Sequence, residues 1–264
     1  VENSLPGSRY SSILRLDNSS FQSNKAKAIL TKPNANGNGG GIFATGSQTT
    51  IMGSDLIIED CSCDGNGGGS SVSNGANVKF YSSAFVRNAA LSGNGGALFV
   101  TSPADIKDHN SSDRSSVHVE GSTFGNFLES QEDNQQSSVN ATIGESDASK
   151  ATQSIEVPRI SALKGGAIYV DESTATVIQS SFNSIGSENE GGAMYMSGTK
   201  GSATIEEVSI YNCQAEKSSG GAAYITNFFD AEFTNTNVEF CKAKDGGAFS
   251  VESATLFITG TNLT

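Results

Sequence analysis

The chain has 264 residues, 28 of them acidic and 16 basic, and its formal net charge is −12. Such a charge opposes phosphate groups, which excludes nucleic acid as a partner and disfavours anionic membrane surfaces. Thirty glycines, four prolines and a charged fraction of 17% exclude collagen, a coiled coil and a charge-rich disordered segment. No run of about 18 apolar residues is present, so we expect no direct membrane insertion by this fragment. Val1 is followed by no charged and then apolar leader, which favours a processed or excised piece of a larger protein.

A Gly-Gly pair followed by small and apolar residues recurs along the chain. The seven segments are GGGIFA (39–44), GGGSSV (67–72), GGALFV (95–100), GGAIYV (165–170), GGAMYM (191–196), GGAAYI (220–225) and GGAFSV (246–251). The steps between them are 28, 28, 70, 26, 29 and 26 residues. Five steps are nearly equal and one is longer, which indicates a repeat array with one interrupted unit.

A second recurring position, which we call the anchor column, lies between the Gly-Gly pairs. Its members are Phe21, Ile58, Phe85, Phe124, Phe182, Ile210, Val238 and Leu263. The residues seven and five positions before each anchor are nearly all apolar, and a spacing of two is typical of a strand. Only the second unit, with Ile51 and Gly53, departs from this pattern.

Each unit therefore holds at least two short strands, and units that cannot bury an apolar face alone must stack on their neighbours. The sequence predicts an all-β fold, a right-handed parallel β-helix of about eight rungs, with rungs about 4.8 Å apart. We expect a single domain over 1–264 with loop insertions at about 101–114 and 128–160, which are either plain surface loops or partner contacts. Neither end carries a capping element, so we expect the parent protein to continue, at least on the C-terminal side.

Alternation within the Gly-Gly segments predicts which side chains face the core. The column that ends each segment, which includes Val100 and Val170, is never polar, and the column two residues earlier is mostly apolar. Both are predicted to face inward. The column between them holds Phe43, Ser71, Phe99, Tyr169, Tyr195, Tyr224 and Ser250. This column predicts an outward aromatic ladder, which is either a contact surface or a stack that stabilises the sheet.

The glycine pairs are expected to supply a positive φ or a close approach of rungs at a corner. Three residues after the anchors come Asn24, Cys61, Asn88, Phe127, Ile185, Cys213 and Cys241, which suits an inward corner with an amide ladder. Cys213 and Cys241 are expected to lie on adjacent rungs, either as buried free thiols or as a disulfide. Cys63 is expected to be the more exposed thiol and a candidate for cross-linking to other chains.

Two tetrapeptides carry a family resemblance. Phe21-Gln22-Ser23-Asn24 and Phe85-Val86-Arg87-Asn88 match F-x-x-N, while Gly95-Gly96-Ala97-Leu98 and Gly165-Gly166-Ala167-Ile168 match GGA(I/L/V). Their alternation at a fixed period resembles the passenger domains of the chlamydial polymorphic membrane proteins, which are type V autotransporters. The resemblance covers the chain from about residue 13 to its end.

The resemblance implies a virulence-related adhesin at the bacterial cell surface, anchored through an outer-membrane barrel or released after processing. It implies attachment to a host-cell surface protein receptor and self-association with other passenger domains. The implied binding residues are Phe21, Asn24, Phe85, Asn88, Gly95, Gly96, Ala97, Leu98, Gly165, Gly166, Ala167 and Ile168, to which the ladder adds Tyr169, Tyr195 and Tyr224. The tetrapeptides also fall where a coil needs a core residue and a tight corner, so their effect on adhesion could be indirect.

The alternatives are a polysaccharide-processing β-helix enzyme, such as a lyase or glycosidase, and a structural spacer rod of the cell surface. Glycosidases need converging carboxylates, and lyases need an acidic Ca²⁺ cluster with a catalytic Arg or Lys. The acidic groups Glu59-Asp60 with Asp64, Glu188 with Glu190, and Glu206-Glu207 show no such spacing and favour a solvated surface. No metal-ligand spacing or catalytic triad is found, so we expect no enzyme activity, no metal and no cofactor.

Overall fold

A computed structural model of the chain describes residues 11–28, 37–103, 114–125 and 159–264. These residues wind as a parallel β-helix in which each turn, or rung, after the first adds one strand to each of three sheets, while the first rung adds a strand to two of them. The described residues contain strands and turns but no helix, which confirms the predicted all-β fold. Two of the sheets have eight strands, so the coil has eight rungs, as the repeat predicts. Within the same ranges, no helix is long and apolar enough to span a bilayer.

Sheet A is formed by the strands that follow the Gly-Gly pairs. They are Ile42–Thr45, Ser70–Ser73, Leu98–Thr101, Ile168–Asp171, Met194–Ser197, Ala223–Thr226 and Phe249–Glu252. Every neighbouring pair is parallel and in register; Val100, for example, pairs with Val72 on one side and Val170 on the other. The equal spacing of the Gly-Gly pairs therefore becomes vertical alignment in the coil.

Sheets B and C complete each rung. Sheet B contains Ser12–Asp17, Thr49–Ser54, Asn77–Tyr81, Ser116–Glu120, Thr174–Ile178, Ser202–Glu206, Asp230–Thr234 and Leu256–Thr259. Sheet C carries the anchor column and contains Ser20–Gln22, Ile57–Glu59, Ala84–Val86, Thr123–Gly125, Ser181–Asn183, Ser209–Tyr211, Asn237–Glu239 and Asn262–Leu263.

A fourth side consists of shorter strands that the repeat pattern does not reveal. One three-stranded sheet contains Lys25–Ala26, Ser62–Cys63 and Ala89–Ala90, and a second contains Arg159–Ala162, Ile185–Ser187 and Gln214–Ala215. The strands of the third and fourth rungs do not pair with each other on this side, so it consists of two separate sheets. The predicted insertions at about 101–114 and 128–160 interrupt this fourth rung and lie largely outside the described residues.

The core consists of the inward columns of the three sheets. Val72, Val100 and Val170 in sheet A have no exposed surface, and the same is true of Phe80 and Val177 in sheet B. The predicted inward assignment of the sheet A columns is therefore confirmed. At the eighth rung, the equivalent side chains Val251, Ile258 and Leu263 are exposed, because no further rung covers them in the structure.

The irregular second unit is compensated by a neighbouring side chain. A Cβ atom on Gly53 would lie 2.5 Å from Leu56 Cδ1, so Leu56 occupies the space that a larger residue at 53 would need. Leu56 is itself buried. Gly53 interrupts the apolar pattern of the sequence, but Leu56 fills the space in the core. Protein interiors are closely packed, so such a gap has to be filled.

The turn between sheets B and C has the same left-handed backbone in every rung. The residues with positive φ at this turn are Asn18, Asp55, Ser82, Gly121, Gln179, Glu207, Asn235 and Gly260. Asn, Asp and Gly adopt this conformation most readily. The turn is therefore a fixed corner of the coil, and glycine is not needed at each rung.

A buried ladder of serines follows that turn and was missed by sequence reasoning. The Ser122 hydroxyl donates to Glu120 O at 3.0 Å and accepts from Ser83 N at 3.0 Å. The Ser180 hydroxyl in turn accepts from Ser122 N at 3.1 Å. Each serine thus satisfies a backbone amide of its neighbouring rung. Its signal in the sequence is a serine two residues before successive anchors.

Candidate functional site

The aromatic residues of the F-x-x-N tetrapeptides lie in the core. Phe85 is 1% exposed and stacks on Phe124 of the next rung, with ring centroids 4.8 Å apart. Phe124 continues the stack onto Phe182, at a centroid distance of 4.7 Å. Phe21, on the first rung, is partly buried against the same core. The anchor column is therefore an internal aromatic stack, and its rings present little surface to another molecule.

The asparagine of the second F-x-x-N tetrapeptide connects two rungs. Asn88 Nδ2 donates to Ile58 O at 2.7 Å, and Asn88 Oδ1 accepts from Cys61 N at 3.0 Å. Asn88 is 5% exposed, so the amide satisfies two backbone groups away from water. This finding confirms the predicted inward corner with a side-chain amide that pairs with the backbone.

Asn24 holds the same position in the first tetrapeptide, but its surroundings differ. It is exposed, and its amide nitrogen lies 3.8 Å from Cys61 Sγ. The two asparagines thus share a motif and a corner, while only Asn88 is enclosed by rungs on both sides.

Cysteine replaces asparagine at this corner in three rungs, and in two of them the thiol contacts the carbonyl that corresponds to the acceptor of Asn88. Cys61 Sγ donates to Phe21 O at 3.3 Å, and Cys241 Sγ lies 3.9 Å from Ile210 O. In both cases the acceptor is the carbonyl of the anchor residue on the preceding rung. A thiol is a weaker donor than an amide, but it reaches the same group.

The GGA tetrapeptides form the corner that leads into sheet A. Gly95 has φ +67°, a conformation that favours glycine, and a Cβ atom on Gly96 would lie 2.2 Å from Gly166 O. The pair thus supplies both the positive φ and the close approach of rungs that the sequence predicts. Ala97, Leu98, Ala167 and Ile168 are buried.

The two tetrapeptides meet at one small cleft on the fourth side. Its cavity volume is about 20 Å³. Its lining includes Phe85, Asn88, Ala97, Gly166 and Ala167, together with Arg87, Phe124, Gly125, Arg159, Ser161 and Ile185. The cleft lies where the fourth side is divided, between Gly125 and Arg159, which are the last and first described residues around 126–158.

The outward column of sheet A forms the aromatic ladder that the sequence predicts. Phe99 stacks on Tyr169 at 5.1 Å, Tyr169 on Tyr195 at 4.9 Å, and Tyr195 on Tyr224 at 5.5 Å between ring centroids. Stacked rings cover each other's faces, so the ladder presents ring edges. We call these four residues the aromatic ladder.

The aromatic ladder is more covered than an exposed run of tyrosines would be. Tyr195 is only 7% exposed, and Lys164 Nζ lies 4.8 Å from its ring centroid while forming an ion pair with Glu190. Burial raises the pKa of Tyr169 well above its ordinary value. The hydroxyl of Tyr224 donates to Glu252 at 2.7 Å, and this bond is the main reason why the pKa of Tyr224 rises to about 12.

A column of short polar side chains runs beside the aromatic ladder on the same outward face. It consists of Thr45, Ser73, Thr101, Asp171, Ser197, Thr226 and Glu252. Ser197 Oγ donates to Asp171 Oδ1 at 2.7 Å, and Ser73 Oγ donates to Thr45 Oγ1 at 3.1 Å. We call this column and the aromatic ladder together the sheet A face.

The expectation that Cys63 is an exposed thiol is wrong. Cys63 has no exposed surface and packs in a small cluster with Ala26, Ala90 and Ala162 from the fourth side. Burial raises the pKa of its thiol to about 11, which makes it a poor nucleophile at neutral pH. The short strands that cover it were not predicted, which is why the sequence pattern suggested exposure.

Some of the acidic side chains lie at the surface, where they form ion pairs with cations of adjacent rungs. Arg87 forms ion pairs with Glu59 and with Asp60, and the bond to Arg87 holds the pKa of Asp60 below its ordinary value. Lys217 pairs with Glu188. In the part of the chain that the structure describes, no three His, Cys, Asp or Glu side chains are grouped so as to hold a metal ion.

Comparison of the chain with known protein families, with curated proteins and with solved structures finds no match. The functional interpretation therefore depends on the geometry above and on the tetrapeptides of the sequence.

Proposed function

We propose that this chain is an adhesin fragment of an autotransporter passenger domain, displayed at a bacterial surface, which attaches the cell to a host-cell surface protein. It acts by binding and not by catalysis. The observation that supports this proposal most is the alternation of F-x-x-N and GGA(I/L/V) tetrapeptides at two corners of a parallel β-helix.

Because the tetrapeptides are buried, another part of the coil must form the contact surface. Phe85, Asn88, Ala97 and Ile168 are all buried, so they can support attachment only by maintaining the coil. The sheet A face is the better candidate for direct contact, because it aligns aromatic edges with hydroxyl and carboxylate groups on four consecutive rungs. Tyr224 at one end of the ladder and Phe99 at the other are each partly accessible.

Attachment of coated beads to cultured host cells tests the proposal. Beads that carry the chain should adhere, and a Tyr169→Ser/Tyr224→Ser variant should adhere several-fold less while retaining its circular dichroism spectrum. Thr176→Ala/Thr204→Ala is the matched control, because these residues point outward from sheet B on the fifth and sixth rungs. Equal adhesion of both variants would reject the sheet A face as the contact surface.

A structural spacer rod is the second candidate, and the burial of the tetrapeptides favours it. In that case the repeated geometry of the corners only maintains the coil, and beads coated with the wild-type chain would not adhere. Release of new reducing ends from a polysaccharide would instead support the lyase or glycosidase alternative. Self-association, a further expectation from the family resemblance, is tested by sedimentation of the chain over a range of concentrations.

A further inference from the structure

Two of the four cysteines lie directly above each other on adjacent rungs. Tyr211 pairs with Glu239 and Gln214 pairs with Lys242, which places Cys213 opposite Cys241. Lys242 N donates to Cys213 O at 2.8 Å, so the backbones are hydrogen-bonded at this point. Hydrogen-bonded neighbouring strands are about 4.8 Å apart, which lies within the Cα separation of about 4.4 to 6.8 Å that a disulfide spans.

The two residues also have matching local backbones. Each follows a residue in the left-handed conformation, Asn212 with φ 52° and Phe240 with φ 55°. Their Cβ atoms therefore leave the backbone in nearly the same direction, and their separation is close to the rung spacing. This is slightly longer than the roughly 3.5 to 4.5 Å of a relaxed disulfide. A bond here requires the side chains to turn toward each other, which would make it strained and easily reduced.

The surroundings of the two thiols assign them different roles. Cys213 is 1% exposed, whereas Cys241 is partly accessible. Cys213 Sγ donates to Tyr211 O at 3.4 Å, and Cys241 Sγ donates to Glu239 O at 3.5 Å. The neighbouring Cys213 thiol lowers the pKa of Cys241, while burial raises the pKa of Cys213. In the described rungs, Cys241 is thus the thiol nearer to solvent, and Cys213 is the thiol that can resolve a mixed disulfide.

We propose that Cys213 and Cys241 are a redox-active pair that a low-molecular-weight disulfide, such as oxidised glutathione, converts into a bond between the sixth and seventh rungs. The Cys241 thiolate attacks one sulfur of oxidised glutathione, which forms a mixed disulfide and releases one glutathione thiolate. The Cys213 thiolate then attacks Cys241 Sγ and releases the second. Two protein thiols lose their protons and two electrons, and one oxidised glutathione becomes two reduced glutathiones.

Cys61 provides an internal control for this inference. It occupies the same corner as Cys213 and Cys241, but the neighbours in its column are Asn24 and Asn88. Cys63 is enclosed by alanines of the fourth side. Neither residue has a thiol stacked on it in the described rungs, so both should stay reduced under conditions that oxidise the Cys213 and Cys241 pair.

The test is equilibration of the folded chain in glutathione buffers of increasing oxidised fraction, followed by acid quenching, alkylation in denaturant and mass spectrometry of peptides. We expect one disulfide-linked pair of peptides, containing Cys213 and Cys241, whose yield rises with the oxidised fraction and reverses with excess reduced glutathione. Cys61 and Cys63 should be recovered alkylated. The oxidised chain should also melt at a higher temperature than the reduced chain, because the bond restricts the unfolded state.

Two variants distinguish the pair from a single reactive thiol. Cys213→Ser should retain Cys241 as a stable mixed disulfide with glutathione and lose the redox-dependent melting shift, and Cys241→Ser should leave Cys213 unmodified. The proposal is overturned if the wild-type chain accumulates glutathionylated Cys241 without the linked peptides, or forms dimers through Cys241. It is also overturned if all four thiols remain free at the most oxidising ratio.

Discussion

Asn88 Nδ2 donates a hydrogen bond to the backbone carbonyl of Ile58, the anchor residue of the preceding rung, at 2.7 Å. The asparagine of an F-x-x-N tetrapeptide therefore acts on a residue outside its own tetrapeptide. Its partner is supplied by the stacking of rungs, and the Cys61 thiol reaches the equivalent carbonyl, that of Phe21, on the rung before its own. An effect of this tetrapeptide on attachment must accordingly be separated from its effect on the coil.

Replacement of Asn88 by alanine should lower the free energy of unfolding by about 2 to 4 kcal/mol, because two buried backbone groups lose their partners. The same change at Asn24, which is exposed, should cost less than about 0.5 kcal/mol. Urea denaturation followed by circular dichroism measures both values. Equal losses at the two positions would contradict the assignment of Asn88 as a connection between rungs.

Substitution of Gly96 by alanine should destabilise the chain by more than about 3 kcal/mol or prevent folding, because the new Cβ atom would collide with a backbone oxygen of the next rung. Gly121 is the control for a left-handed glycine in open space, since its nearest neighbour would be 3.8 Å from an added Cβ. Gly121→Asn should change stability by less than about 1 kcal/mol, because asparagine tolerates this conformation. Thermal melts of the two variants compare their losses of stability. Similar melting temperatures would rule out a collision between the added Cβ atom at position 96 and the next rung.

A charged residue on an inward column should lower the free energy of unfolding far more than removal of one ring from the aromatic ladder. Val170→Asp places a carboxylate in the core and should cost at least about 4 kcal/mol. Tyr169→Ser removes stacking with Phe99 and Tyr195 and should cost about 2 kcal/mol. Chemical denaturation of both variants provides the comparison, and the opposite order would overturn the inward and outward assignment.

Tyr224 should ionise near pH 12, and Glu252→Gln should bring its pKa back toward the ordinary value of about 10. The folded pKa is raised, so the hydrogen bond to Glu252 contributes its full stability below about pH 10 and loses it as the pH rises toward 12. Ultraviolet absorbance titration of tyrosinate measures the transition, with Tyr224→Phe to identify it. An unchanged titration curve in Glu252→Gln would exclude the carboxylate as the cause.

Much of the coil could be predicted from the sequence because a stacked fold repeats one register at every rung. The equal steps between Gly-Gly pairs and the spacing of two before each anchor predict the sheets, the inward columns and the glycine corners. The alignment of Cys213 with Cys241 follows from the same register. In-register pairing turns distance along the chain into position on a rung, so periodicity alone carries this information.

Only the tertiary structure showed which groups cover each side chain and how exposed it is. Cys63 is buried because short strands of the fourth side from other rungs pack over it, and Tyr195 is covered by Lys164 of the neighbouring rung's corner. Asn24 and Asn88 share a tetrapeptide but differ in exposure, since one lies on the first described rung and the other between two rungs. Accessibility depends on groups brought together from distant parts of the chain, and no repeat pattern contains that information.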